Sequence, residues 1–397
     1  MRNNSVYLHT NGLNMSPMEL QSATIDLLRF PLAIMVIFIH MNPDVINLVD
    51  ADFNLMSWHG LYNVTGILLS HVLTHIAVPT FFFISGFLFF VNFQEWSWDN
   101  YERKIHSRVR TLIIPYIVWN IVPFLLLVLT MLGGAIYHDY PIDNIKCLIS
   151  ENSWHIFYDC NVWGTDRVNW LGENLKMTGP YDLPLWFLRD LIVVTILTPI
   201  IYIAIKKLNL FIIAFLFVAY ISRIWTLLPG FHITAFFYYT TGAYFALNKI
   251  NIVQFVNNYK KYYLPVCAIL LIITIIYDGT NTIIGQNIYP IFICTGVLSA
   301  FYIASVCIKR YNFKANKLLL SSCFFIYAIH GVWLPIINSP LSFTQQMLRQ
   351  LIPGNTNTEV GICYMLTPFI TAFLCIFVLQ VGRRIFPRTT LLFSGNK

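Results

Sequence analysis

Residues 24–43 read TIDLLRFPLAIMVIFIHMNP, an apolar run of about bilayer-spanning length that nevertheless carries Asp26, Arg29 and His40. The same pattern, a long apolar run closed off by a short polar cluster, repeats along the chain. Ten such segments are predicted as helices, over 24–43, 64–92, 111–133, 184–205, 208–227, 231–248, 262–278, 287–308, 318–338 and 361–382. Lys206-Lys207 and Leu228-Pro229-Gly230 form two of the connections and leave room only for tight turns. Composition agrees: 57% of residues are hydrophobic, 16% aromatic and only 11% charged, with a mean hydropathy of +0.64. A soluble domain has about 25% charged residues. The fold class expected is therefore all-α, a polytopic membrane protein of about ten transmembrane helices. Nucleic-acid binding, secretion and a water-filled β-barrel are excluded as readings.

Charge sets the expected orientation. Of the 25 Lys and Arg, 18 fall on the N-terminal tail, the even-numbered connections or the C-terminal tail. Among the odd-numbered connections only Lys146, Arg167, Lys176, Arg223 and Arg349 are basic, so the positive-inside rule predicts that both termini are cytoplasmic. The net charge of +7 then needs no acidic partner. Residues 1–23 lack the order of a cleaved signal peptide and read as a cytoplasmic tail, residues 24–382 as the transmembrane domain and 383–397 as a second cytoplasmic tail. Trp58, Trp96, Trp98, Trp119, Trp225 and Trp333 lie near predicted helix ends, as interfacial aromatics do. One long connection, residues 134–183, lies on the outer side. Its aromatic and acidic content, including Asp139, Asp143, Asp159, Asp166, Trp154, Trp163 and Trp170, reads either as an ordered lid that binds a sugar or as a loosely packed loop. It also holds Cys147 and Cys160, which an oxidising compartment would allow to pair.

Ionisable side chains at membrane depth are costly, so each one is a functional candidate. They are Asp26, Arg29 and His40 on the first segment, His71 and His75 on the second, Arg189 and Asp190 on the fourth, and His330 on the ninth. Eleven residues of helix bring Arg29 and His40 to nearly one face with about 16 Å between them, a cation toward the cytoplasmic side and an imidazole in the outer third. The plainer reading is that Arg29 pairs with Asp26 one turn away while His40 caps a carbonyl. By depth, His75, Arg189, Asp190 and His330 share the outer half with His40, although Arg189 and Asp190 read equally well as a structural pair. His71 and His75 are one turn apart, but neither an H-E-x-x-H pattern nor a third ligand accompanies them, so no metal is expected.

These residues sit in stretches that resemble the acyltransferase 3 family of integral-membrane O-acyltransferases. Ile25 to Ile34 and on to His40 is similar to its opening signature of a basic residue, ten residues and a His. Val78-Pro79-Thr80-Phe81-Phe82-Phe83-Ile84-Ser85-Gly86-Phe87 is similar to its second-helix signature. Leu185-Trp186-Phe187-Leu188-Arg189-Asp190-Leu191 resembles its Leu-Trp-Phe-Leu segment, and Phe325-Ile326-Tyr327-Ala328-Ile329-His330 its late Tyr-x-x-His segment. The family's Arg-x-x-Arg element is replaced by Arg103, Lys104, Arg108 and Arg110 at other spacings. A soluble hydrolase-like domain, which some members append, does not follow the tenth segment. The resemblance thus implies a chain that works alone or with a separate partner.

The resemblance also implies transfer of an acyl group, usually acetyl from cytoplasmic acetyl-CoA, to a hydroxyl of a saccharide or glycolipid handled outside, in a bacterial inner membrane. It makes His40 the catalytic residue, with Arg29 on the donor path. His40 suits either removal of the hydroxyl proton or an acyl-imidazole. Arg103, Lys104, Arg108 and Arg110 would bind the phosphates of CoA, whereas the plainer reading makes them a topology signal. Asp26, His75, Ser85, Arg189, Asp190 and His330 are supporting candidates, with oxyanion stabilisation expected from Arg189, Ser85 or a His donor. A rival reading is a proton-coupled transporter or flippase using His40, His75 and His330 as a relay. The oligomeric state is open.

Overall fold

A computed structural model of the chain describes residues 15–41, 56–93, 95–137, 141–168, 174–226, 228–277, 283–332, 334, 338–353 and 357–395, without the side chains of 161–178, 283 and 357. Asp139, Trp170, Trp333 and most of the N-terminal tail lie outside the described residues, as do the side chains of Trp163, Asp166, Arg167 and Lys176. In chain order the helices are α1 (Pro17–Ile39), α2 (Trp58–Gly66), α3 (Ala77–Phe90), α4 (Trp98–Arg108), α5 (Ile114–Tyr137), α6 (Ile142–Asn152), α7 (Trp186–Ile196), α8 (Thr198–Leu208), α9 (Leu210–Ser222), α10 (Ile233–Leu247), α11 (Ile252–Ile276), α12 (Ile283–Tyr311), α13 (Lys317–Ile329), α14 (Pro340–Leu351), α15 (Asn357–Ile385) and α16 (Pro387–Ser394). Strands β1 (Cys160–Val168) and β2 (Asn174–Gly179) pair antiparallel between α6 and α7, with Thr165 opposite Met177 and an irregularity between Cys160 and Thr165.

All ten predicted segments overlap helices, but their lengths differ. Six stretches are long and apolar enough to cross a membrane: Pro17–Ile39, Trp58–Phe90, Trp98–Tyr137, Ile252–Ile276, Ile284–Tyr311 and Thr358–Ile385. Leu183–Ile196 and Thr198–Leu208, bent by 62°, make a seventh if taken as one span. The bend divides the predicted 184–205 helix, because Pro199 has no N–H to offer the carbonyl one turn back. Outward apolar side chains such as Leu129, Phe211, Phe215, Ile269, Phe373 and Phe377 give the bundle a lipid-compatible surface.

Several boundaries move for local reasons. α1 starts at Pro17 rather than Thr24 because Ser16 and Glu19 make a capping box, Ser16 N–H donating to Glu19 Oε2 at 2.8 Å and Glu19 N–H to Ser16 Oγ at 3.3 Å. Helix also extends back from residue 111 to Trp98, where Ser97 Oγ caps Asn100 N–H at 3.1 Å, so the basic cluster lies on an amphipathic helix and not in a loop. The described residues of the long connection 134–183 include α6 and the hairpin. Trp119, expected at the interface, is instead 5% exposed and donates to the Phe393 carbonyl at 2.9 Å beneath α16.

At the centre, α1 packs against α3, α11, α12, α13 and α15. The α3–α10 pair crosses closely. A Cβ on Gly86 would lie 2.0 Å from the Tyr239 carbonyl oxygen, and one on Gly242 2.0 Å from that of Phe83, so only glycine permits this approach.

Candidate active site

His40 and His330 each follow the last residue of a helix. His40 N–H donates to the Ile37 carbonyl at 3.1 Å at the end of α1, and His330 N–H to the Ile326 carbonyl at 3.1 Å at the end of α13. Both helices stop short of their predicted ends, 43 and 338, and hold the imidazoles at their termini. Each terminus is pinned from outside: Ser70 Oγ donates to the Phe38 carbonyl at 2.8 Å and is itself bonded to the Tyr364 hydroxyl at 2.7 Å, while Leu341 N–H donates to the His330 carbonyl at 3.0 Å. The result is an imidazole pair with ring centroids 5.1 Å apart.

His330 is fully buried. Its Nδ1 lies 2.8 Å from the Tyr327 carbonyl and 3.1 Å from that of Ile326. A carbonyl can only accept, so Nδ1 carries the proton and Nε2 the lone pair. Among the described residues Nε2 has no hydrogen-bond partner, so its lone pair is open to a proton or a hydroxyl. His75 lies within electrostatic reach of His40 and packs edge-on to Tyr289, with centroids 5.8 Å apart. His71 sits in a π-helical turn, Ile67–Val72, followed by a 3-10 turn, Leu73–Ile76, which breaks the regular one-turn relation expected between the two histidines.

Midway along α1, which begins at Pro17, the side chains are cationic. Arg29 lies 3.7 Å from Asp26, with both side chains about a third exposed, a geometry that stabilises by roughly 0–1 kcal/mol. Arg29 is also an electrostatic neighbour of Arg108, and Arg108 of Lys104 and Tyr239. The structure thus brings Arg29, Lys104 and Arg108 together. Arg103 and Arg110 are exposed and line a groove of about 430 Å³ with Asp99, Glu102, His106 and Ser107. Ser85 is half-buried on α3.

Arg189 and Asp190 form a different unit. Arg189 Nε–H donates to Asp190 Oδ1 at 3.0 Å and Arg189 NH1 to the Tyr158 carbonyl at 2.6 Å, while the other Asp190 oxygen pairs with His232 Nδ1. Asp190 is fully buried, so its charge is matched by partners on α7 and at the start of α10, and Arg189 reaches the segment that carries β1. His232 has no counterpart among the sequence candidates. Asp182, which is 1% exposed, is another such residue, while Tyr327, the tyrosine of the Tyr-x-x-His segment, donates its hydroxyl to the Pro184 carbonyl. Neither Cys147 nor Cys160 is in a disulfide; their thiols donate to Glu151 at 3.0 Å and to Asn152 Oδ1 at 3.1 Å. Among the described residues no three His, Cys, Asp or Glu side chains are grouped to hold a metal.

Comparison with known proteins identifies a family. The acyltransferase domain family, Acyl_transf_3, matches residues 22–381. A curated relative, "Succinoglycan biosynthesis protein ExoH" of Rhizobium meliloti (strain 1021), is 24% identical over 193 residues, which is 47% of this chain and 44% of the relative. The chain therefore matches less than half the length of that relative. No solved structure matches. With the match spanning nearly the whole chain and including Arg29, His40 and His330, the chain belongs to the acyltransferase 3 family.

Proposed function

We propose that this protein moves an acyl group, acetyl from cytoplasmic acetyl-CoA, onto a hydroxyl of an extracytoplasmic saccharide or glycolipid. The observation that carries this reading is the layout of α1: a cationic group around Arg29 midway along it, an imidazole pair at its C-terminal end, and about 16 Å of helix rise between Arg29 and His40. That rise suits the pantetheine arm of CoA, whose phosphates would rest on Arg29, Lys104 and Arg108, with Arg103 and Arg110 at the mouth. The basic tails and connections support a cytoplasmic mouth and both termini inside, the ten apolar segments would supply ten crossings, and the bacterial relative supports a bacterial inner membrane. A relative named for succinoglycan biosynthesis supports a saccharide acceptor.

At the outer end His40 takes the proton from the acceptor hydroxyl as the oxygen attacks the thioester carbon. The tetrahedral intermediate collapses, the C–S bond breaks and CoA leaves as the thiol, receiving a proton. A neutral imidazole, with a usual pKa of about 6.5, suits that exchange at physiological pH. His330, held as the Nδ1–H tautomer, offers a second lone pair beside it. A route through acyl-His40 uses the same geometry.

Purified protein in nanodiscs should release CoA thiol from acetyl-CoA in the presence of membrane glycan extract and acylate that extract. His40→Ala should reduce both by about 10² or more while the protein remains folded. A variant keeping over about a tenth of the activity removes His40 from this role. Glycan transport without thioester turnover would favour the transporter reading.

A further inference from the structure

Asp182 lies between β2 and α7, in the segment that closes over α13, and differs from the other buried acid of this region. Asp190 is met by Arg189 and His232, whereas neither carboxyl oxygen of Asp182 has a hydrogen-bond partner among the described residues. The backbone around it is tightly held. Asp182 N–H donates to Asn120 Oδ1 at 3.0 Å, its carbonyl accepts from Leu185 N–H at 2.9 Å, and Tyr181 N–H donates to the Ile156 carbonyl at 2.8 Å. Asn120 is itself fully buried and fixed by donation to the Tyr116 carbonyl at 2.8 Å. The carboxyl is therefore positioned by everything except its own polar atoms.

Its segment packs against the turn that carries His330. Tyr116 and Tyr327 both lie in its electrostatic field. Tyr327 is one turn before His330, and a Cβ on Gly331 would lie 3.0 Å from Pro184 Cγ, so the Asp182 segment sits on the turn of α13 that presents His330. Leaving a buried polar group without partners is destabilising, and no hydrogen bond among the described residues offsets it. Burial pushes the Asp182 carboxyl well above the usual carboxylate range. A neutral carboxyl presents one O–H donor and one carbonyl acceptor side by side. Two adjacent oxygens of a sugar, one accepting and one donating, match that pair.

We propose that Asp182 is an acceptor-positioning residue, binding two neighbouring oxygens of the saccharide so that the reacting hydroxyl meets His40. The proposal rests on the saccharide acyltransferase reading above. The test uses a strain lacking the gene, complemented with wild type, Asp182→Leu or Asp182→Asn. O-acyl esters per hexose are measured on extracted surface glycan, with acetyl-CoA affinity and melting temperature measured on the purified proteins. Asp182→Leu keeps the size but neither polar function and should lower ester content by about tenfold or more, with acetyl-CoA affinity and melting temperature not reduced. Asp182→Asn keeps a donor and an acceptor and should retain activity within about threefold. Wild-type ester content with Leu overturns the proposal. So do an Asn variant as poor as Leu, and a loss that tracks reduced stability or reduced acetyl-CoA affinity. If wild type restores no esters, the parent reading fails, and this one with it, in a manner distinct from any variant effect.

Discussion

Arg29 stands between two partners with opposite implications. Its ion pair with Asp26, 3.7 Å apart and partly exposed, would be a structural pair within α1, whereas its proximity to Arg108 makes sense as an anion site, because two like charges gain by holding a phosphate between them. Arg29→Lys keeps the charge but loses the planar fork and should weaken acetyl-CoA affinity, and Arg29→Ala should nearly abolish it, both with an unchanged melting temperature. Normal affinity with a lowered melting temperature would assign Arg29 to the Asp26 pair. Arg29, His40 and His330 stand out in the sequence because ionisable groups are rare within apolar runs. Asp182 does not, since an acid in a polar connection is ordinary until its burial and lack of partners are seen. His232 stands at the second residue of the predicted 231–248 segment, but its pairing is not legible there: its partner Asp190 is 42 residues away, and only the tertiary fold joins them.

Helix α3 carries Ser85 and the run of phenylalanines that fills the core, and its approach to α10 depends on two glycines facing backbone carbonyls. A methyl group at residue 86 would meet backbone, which cannot rotate aside as a side chain can. Gly86→Ala should therefore force the helices apart and cost about 1–3 kcal/mol, read as a lower melting temperature in detergent and lower membrane abundance. Gly133, where an added Cβ would have no neighbour within 4 Å, is the internal control, and Gly133→Ala should leave both unchanged. Apolar length is enough to find these helices, but not their ends or bends. The start of α1 is written in the Ser16–Glu19 pair and the α7–α8 bend in Pro199, both local signals outside hydropathy. α4 is invisible to hydropathy because none of its residues is buried. The stops at Ile39 and Ile329 are set by tertiary bonds from Ser70 and Leu341, and those stops are what turn His40 and His330 into a pair.

For the whole molecule, the proposed direction of transfer requires the N-terminal half of α1, with Arg29 and α4 beside it, to face the cytoplasm and the folded segment between α5 and α7 to face outward. The charge distribution argues for this, and one exposed thiol tests it. Cys147 on α6 is exposed, whereas Cys160 is fully buried, so a membrane-impermeant maleimide added to intact cells should label Cys147, and Cys147→Ser should remove that label. The Cys147 thiol is pushed up by its hydrogen bond to Glu151 and by that carboxylate's charge, which leaves less thiolate at neutral pH. Labelling should accordingly be slow at pH 7, faster at pH 8.5, and faster at either pH in Glu151→Gln. On the opposite side, Glu102→Cys on α4 should react only after permeabilisation, because Glu102 is exposed among the basic residues that the positive-inside rule retains in the cytoplasm. Labelling of Glu102→Cys in intact cells, with Cys147 protected until permeabilisation, would invert the molecule. The imidazole pair would then open to the cytoplasm, and the CoA phosphates would have no cationic mouth on the side where CoA is found.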